Sequence, residues 1–168
     1  MELITIDDVR KHRQLAKNFD TVKFSTYVND VQTYFLRDLI GKALYLKLIT
    51  GLSETTPEPK WTELLNGKIY TNNGEIIEYL GLKPFLCYHF LAVFGREADT
   101  NLTEAGSVSM SGANYRPSND RGEIEEIHKV RATYYGNEIL EFLSVFRSVY
   151  SGNVQSKSNN TDLIFSII

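Results

Sequence analysis

Residues 81–96, "GLKPFLCYHFLAVFGR", decide how the rest of the chain is read. Leu82, Phe85, Leu86, Phe90, Leu91 and Phe94 recur at helical spacing, and apolar residues cover most of the circumference. The stretch therefore predicts a helix packed on several sides, the centre of a core. Gly81 opens it, Pro84 falls in the first turn where a missing N–H costs nothing, and the expected end is about Glu97. The run is too short to span a bilayer, which takes about 20 apolar residues. It also holds the single cysteine of the chain, Cys87, and one of its three histidines, His89. Two residues apart on a helix, these point about 200° away from each other and cannot pair within the segment. The expectation is a small buried thiol rather than a nucleophile.

Upstream, "TIDDVRKHRQLAKN" reads as a first helix running to about Asn18, with Thr5 as cap and Asp7 and Asp8 in the first turn. Phe24, Tyr27, Val28, Val31, Phe35 and Leu39 mark a second helix that breaks at Gly41. "KALYLKLIT" predicts a third, stopped by Gly51, and "WTELLNG" one or two turns ended by Gly67. "KIYTNNGEIIEYL" departs from the helical pattern: two β-prone runs flank Asn73-Gly74, the pair best suited to a tight hairpin turn. Downstream, residues 99–120 are rich in Ser, Asn and Gly and are expected as a long loop. Ile124, Ile127, Val130, Tyr134, Leu140, Leu143 and Phe146 then predict the stripe of a last long helix, with Gly136 marking a bend or a close helix contact. Beyond Tyr150, the polar spacer 151–162 leads to "LIFSII".

The resulting fold class is mainly α. It is a bundle of about five helices with a small β-hairpin, a long loop and an extended C-terminal arm, divided into a helical domain 1–150 and an arm 151–168. A chain of 168 residues with 42% hydrophobic side chains is enough for one buried core. The 18 basic and 21 acidic residues give a net charge of −3, and the longest basic cluster is "RKHR", residues 10–13. That balance argues against tight binding of a phosphate backbone. One cysteine excludes an internal disulfide framework and a thiolate zinc site. "MELITIDDVRK" lacks the apolar run of a secretory signal, so a soluble protein made in a reducing cytosol, with no membrane association, is expected.

Chemistry-bearing residues do not converge in the sequence. His12, His89 and His128 stand apart, without metal-ligand spacing. "GSVSMSG" (106–112) lacks the lysine of a phosphate-binding loop, and the carboxylates of "GEIEEIHK" (122–129) suit a solvated helix start. The ten tyrosines, with no basic groove beside them, are expected as core and interface aromatics. No catalytic, cofactor or metal site is expected. The apolar end is different: burying one large apolar side chain gains about 1.5–3 kcal/mol, so Leu163, Ile164, Phe165, Ile167 and Ile168 should find a partner surface. They could fold back on their own subunit or add to a neighbour as a strand.

"ITIDDVRKH" (4–12), "YVNDVQTYFLRDLIGKALYLKL" (27–48), "WTELLNGKIYTNNG" (61–74), "GLKPFLCYHFLAVF" (81–94) and "EILEFL" (138–143) follow one another in an order that resembles the head-to-tail connector proteins of tailed bacteriophages. These adaptor or head-completion proteins include the ring protein of crAss-like phages, and the version here looks like that of Bacteroidales phages. The resemblance covers about residues 3–150. "LRDLIGKALYLKL" (36–48), "LLNGKIY" (64–70) and "GLKPFL" (81–86) are its most specific parts, and they are packing and turn patterns rather than catalytic signatures.

The resemblance implies a structural virion protein at the portal vertex, made in the host cytoplasm. It would form a cyclic homo-oligomer of about a dozen copies under the portal protein, extend the channel for double-stranded DNA without binding it specifically, and offer a platform to downstream tail or ring proteins. It implies no cofactor and no enzymatic activity. A mildly acidic subunit suits such a channel, because like charge discourages phosphate binding. The arm suits a tether: twelve residues, 151–162, reach about 40 Å when extended. Docking of Leu163, Ile164, Phe165, Ile167 and Ile168 on the portal or an adjacent ring protein is the expected partner contact. The residues alone also allow a generic helical interaction or regulatory module without catalytic activity.

Overall fold

Thr5 and Asp8 start the first helix by satisfying each other's backbone. The Thr5 hydroxyl accepts from the Asp8 amide at 3.2 Å, and the Asp8 carboxylate accepts from the Thr5 amide at 3.1 Å. The computed structural model describes residues 1–13, 20–97, 100–103, 106–109 and 118–150. Helix α1 (Ile6–His12) ends at Arg13, which is extended (φ −155°, ψ 145°), so the helix expected to reach Asn18 stops earlier. No Gly or Pro signals the break. It coincides with His12 packed on Tyr88, ring centroids 5.0 Å apart. Residues 14–19 lie outside the described residues.

Helix α2 (Thr21–Val31) is capped by Asp20, whose carboxylate accepts from the Val22 and Lys23 amides at 2.9 and 3.3 Å. It runs through a wide π turn (Gln32–Leu36) into α3 (Arg37–Ile40) and breaks at Gly41, as its sequence predicts. The extra residue in the wide turn resets the buried side. Phe24, Val28, Val31, Gln32, Leu36 and Ile40 are buried, while Tyr27, Phe35 and Leu39 are half-buried. Helix α4 (Lys42–Leu52) corrects a second expectation, because Gly51 lies inside the helix rather than stopping it. A Cβ there would overlap the Trp61 indole, so Gly51 is where α5 (Pro59–Asn66) approaches α4.

Helix α5 closes at Gly67 (φ 96°), and the chain enters the predicted hairpin, β1 (Lys68–Asn72) antiparallel to β2 (Glu75–Tyr79). Tyr70 lies opposite Ile77, and the turn is made by Asn73 (φ 52°) and Gly74 (φ 85°). The hairpin returns the chain to its starting point. The Leu82 amide donates to the Leu64 and Leu65 carbonyls at 3.2 and 3.1 Å, and the Tyr79 hydroxyl donates to the Leu64 carbonyl at 3.1 Å. The open carbonyls at the end of α5 are thereby used to seat the next helix.

That helix, α6 (Lys83–Glu97), is the expected core helix. Leu82, Phe85, Leu86, Cys87, Phe90 and Leu91 are buried, and Phe94 is half-buried. Within the stretch expected as a long loop lies a second antiparallel ladder, β3 (Thr100–Thr103) with β4 (Gly106–Ser109). Its Thr, Ser and Val residues tolerate extended backbone, and pairing satisfies amides and carbonyls that an open loop leaves to water.

Helix α7 (Ser118–Val145) lies along α6 in the largest helix–helix interface among the described elements, and α8 (Arg147–Tyr150) follows after a turn. Its buried line is His128, Ala132, Gly136, Ile139 and Phe142. Gly136 marks a close contact: a Cβ there would sit 3.3 Å from Phe85. The predicted stripe is therefore corrected. Ile124, Leu143 and Phe146 are half-buried, whereas Ile127, Val130, Tyr134 and Leu140 are exposed. The sequence carries two apolar lines on this helix, and the smallest residues, Ala132 and Gly136, select which one can approach α6 closely. At the far end Tyr79 stacks on Phe142 at 4.0 Å and Tyr70 packs on Phe146 at 5.2 Å, joining the hairpin to the end of α7, and Trp61 packs on Tyr150 at 6.1 Å, joining α5 to α8. Mainly helical with a small hairpin is the architecture the sequence predicts.

Candidate functional site

Titratable groups inside this fold are held neutral or paired. Burial pushes the Cys87 thiol up to about 12, with Asp8 adding to the shift, so little thiolate exists near neutral pH. His89 faces elsewhere, stacked on Phe35 at 4.2 Å with the Phe85 edge at 4.5 Å. Burial lowers its pKa to about 4, and Lys129 contributes further. The expected separation of Cys87 and His89 holds: Cys87 is fully buried, and His89 packs between Phe35 and Phe85.

The structure does bring together two histidines that the sequence leaves apart. The Tyr88 ring lies 5.0 Å from His12 and 5.9 Å from His128, and stacks on Tyr135 at 5.6 Å. The Arg131 guanidinium lies over the same tyrosine at 5.6 Å. His128 is 3% exposed, and its Nδ1 has no hydrogen-bond partner. Burial first, then Arg13 and Arg131, hold its pKa below the usual imidazole range. His12 is lowered likewise, by burial and Lys11, against the opposing pull of Asp8. An imidazole in that setting resists protonation, so the cluster works as packing between α1, α6 and α7. Among the described residues no group of three or more His, Cys, Asp or Glu is placed to hold a metal ion.

Carboxylates are committed to structure as well. Asp8 is 7% exposed, between Lys11 at 3.2 Å and Lys83 at 3.5 Å. Burial alone would raise its pKa, but the Thr5 amide, Lys11, the Thr5 hydroxyl and Lys83 together lower it. In the 122–129 segment Glu125 binds Lys129 at 2.7 Å, while Glu123 and Glu126 are exposed.

The surface carries the anomaly. Ile127, Val130 and Tyr134 on α7 are 50%, 61% and 60% exposed and share one side of the helix. Single exposed apolar residues need no explanation, but a line of three along a helix is a candidate interaction surface. Sequence periodicity placed these residues in the core. The signal that would have found them is the opposite line of His128, Ala132, Gly136 and Ile139, whose small members require close packing. Leu163, Ile164, Phe165, Ile167 and Ile168, the expected docking residues, lie outside the described residues, as do residues 110–112 of the Ser/Gly stretch.

A family model described as a family of unknown function, DUF6712, matches residues 36–162. The chain belongs to that family. The DUF6712 match begins at Leu36 in the π turn, takes in the hairpin, α6 and α7, and ends at Asp162, before the apolar hexapeptide. No curated protein and no solved structure matches the chain. Among the described residues, no helix of this DUF6712 member is long and apolar enough to cross a membrane.

Proposed function

We propose that this chain is a structural subunit of a tailed bacteriophage virion, a head-to-tail connector without catalytic activity. In this reading it forms a ring beneath the portal protein, extends the passage for double-stranded DNA and presents a platform to downstream tail or ring proteins. The observation that carries the reading is the apolar line Ile127, Val130 and Tyr134, exposed on a helix whose other side is fully engaged in the core. A subunit that works by being packed between others needs such a surface and needs no convergent polar centre. The resemblance of residues 3–150 to connector proteins supplies the kind of assembly, and the net charge of −3 suits a wall that DNA slides past.

The arm serves as the tether, with Leu163, Ile164, Phe165, Ile167 and Ile168 docking on the portal or an adjacent ring protein. The test is the mass by light scattering of the purified chain, alone and mixed with the portal protein from the same genome. Co-migration near one subunit per portal chain is the expected result. A monomer indifferent to portal protein would replace the reading with that of a generic helical interaction module.

A further inference from the structure

The hairpin buries one side and opens the other. Its register sets Ile69 opposite Glu78 and Thr71 opposite Ile76, and all four are exposed, Ile69 at 68% and Ile76 at 79%. Tyr70 and Tyr79 alternate with them and lie buried against Phe142. The backbone is open at the same positions. Asn73 and Gly74 make a two-residue turn, so Asn72 and Glu75 form the closing hydrogen-bonded pair, and Ile69 and Thr71 turn their amides and carbonyls away from β2. Among the described residues no third strand pairs with β1, and no backbone group outside the hairpin bonds to Ile69 or Thr71. The β2 edge carries Glu75 and Glu78, charges that discourage strand addition, whereas residues 69–71 of β1 are uncharged.

The same chain carries a segment of the matching kind. Residues 163–168, "LIFSII", are uncharged and rich in β-branched side chains, and as a strand they place Leu163, Phe165 and Ile167 on one side. Six residues fit the five of β1. The spacer leading to them starts at Tyr150, which packs 5.8 Å from Phe142, on the buried side of the hairpin. To reach the open edge of its own hairpin, the chain would have to double back around the sheet. Twelve spacer residues reach about 40 Å when extended, and a folded body of about 150 residues has a radius of gyration of about 15 Å, hence a diameter of about 38 Å. Copies set side by side repeat at about that distance. The spacer therefore spans from one hairpin to the hairpin of the next copy and no further.

We infer that residues 163–168 of one copy add as a third strand to the β1 edge of the next copy, with Leu163, Phe165 and Ile167 continuing the face of Ile69 and Ile76. Main-chain bonds to Ile69 and Thr71 give the contact its strength, and the apolar row gives it its register. The link runs from the arm of one copy to the hairpin of another, two unlike surfaces, which is the head-to-tail kind that closes into a ring. It rests on the ring reading above and names the surface on which the arm docks.

Cross-linking of full-length chains tests the contact. Ser166→Cys chains are loaded at one end with a short bis-maleimide and mixed at high concentration with Thr71→Cys chains; the native Cys87 is buried and does not compete. The expected product is a mixed pair, with a ladder when the doubly substituted chain is treated with the same reagent. Adding Ile69→Lys to the Thr71→Cys chain puts a charge on the open edge opposite Glu78, so the melting temperature should hold while the mixed pair falls at least tenfold. A mixed pair that survives Ile69→Lys would mean random collision and overturn the inference. An internally closed monomer in place of the ladder would overturn it in favour of the chain's own hairpin. Absence of any product, both in the free protein and in the assembly with portal protein, would overturn it as well. If that assembly nevertheless forms by light scattering, the ring reading stands without this contact. A ladder without any assembly on portal protein supports the contact and removes the portal reading.

Discussion

Gln32 holds Leu3 in place from the wide turn of the second helix. Its side-chain oxygen accepts from the Leu3 amide at 2.6 Å, and its side-chain nitrogen donates to the Met1 carbonyl at 3.1 Å. Gln32 is 2% exposed, so these bonds satisfy a buried amide group at both ends while fixing residues 1–4 against the core. Replacing Gln32 by Leu leaves the Leu3 amide and the Met1 carbonyl without that partner. The expected cost is about 1–3 kcal/mol, read as a lower urea midpoint together with faster hydrogen exchange at Leu3.

Gly51 and Trp61 give a second prediction. A Cβ at Gly51 would overlap the indole, so Gly51→Ala must push Trp61 off its site. Overpacking of this kind costs about 1–3 kcal/mol. Trp61 is the single tryptophan and 7% exposed, so its emission should shift to the red in the variant. An unchanged spectrum and melting curve would mean that α4 and α5 separate without penalty.

Cys87 should stay silent until the protein opens. With no exposed surface and a thiol pushed up to about 12, it is expected to react with a maleimide only at the rate of unfolding. Rapid labelling in native buffer would contradict the packing of α6.

Stability should fall as the solution is acidified through the histidine range. His89 is lowered to about 4 in the folded chain against 6.5 unfolded, and His12 and His128 are lowered too. Below 6.5 the unfolded chain takes up protons that the folded chain refuses. The stabilisation is therefore fully present above 6.5 and is lost as pH falls toward about 4, by up to an order of 3 kcal/mol from His89. Asp8, also lowered, extends the loss to still lower pH, because its paired carboxylate must be protonated. Melting temperatures between pH 7 and 4 check this, and His89→Phe should flatten the slope.

Removal of residues 151–168 separates the arm from the fold. Tyr150, just before the cut, keeps its hydroxyl bond to the Lys60 carbonyl at 2.9 Å and its packing on Trp61. The truncated chain is expected to melt with the full-length protein and to bind portal protein poorly. Equal binding would take the arm out of the docking contact.

The local elements were legible where the chemistry is local. Thr5 and Asp8 announce a capping box, Asn73-Gly74 a tight turn, Gly67 a helix end, and the apolar circumference of residues 81–94 a core helix. Each depends on residues within a few positions of one another. Gly51 misled because an interior glycine and a terminal glycine look alike until the neighbouring Trp61 is placed. The end of α1 at Arg13 and the pairing of β3 with β4 likewise carry no unambiguous short-range signal.

By itself, the sequence determined that this chain is a mainly helical body around one apolar helix, with a hairpin between two of its helices and a buried, unreactive cysteine. Tertiary structure alone decided which side of α7 faces inward, and with it the candidate surface. The reason is steric. Periodicity assigns apolar residues to a helix side, and α7 has apolar residues on two sides. Only the approach of Phe85 and Leu39 to Gly136 determines which line is covered and which is left exposed.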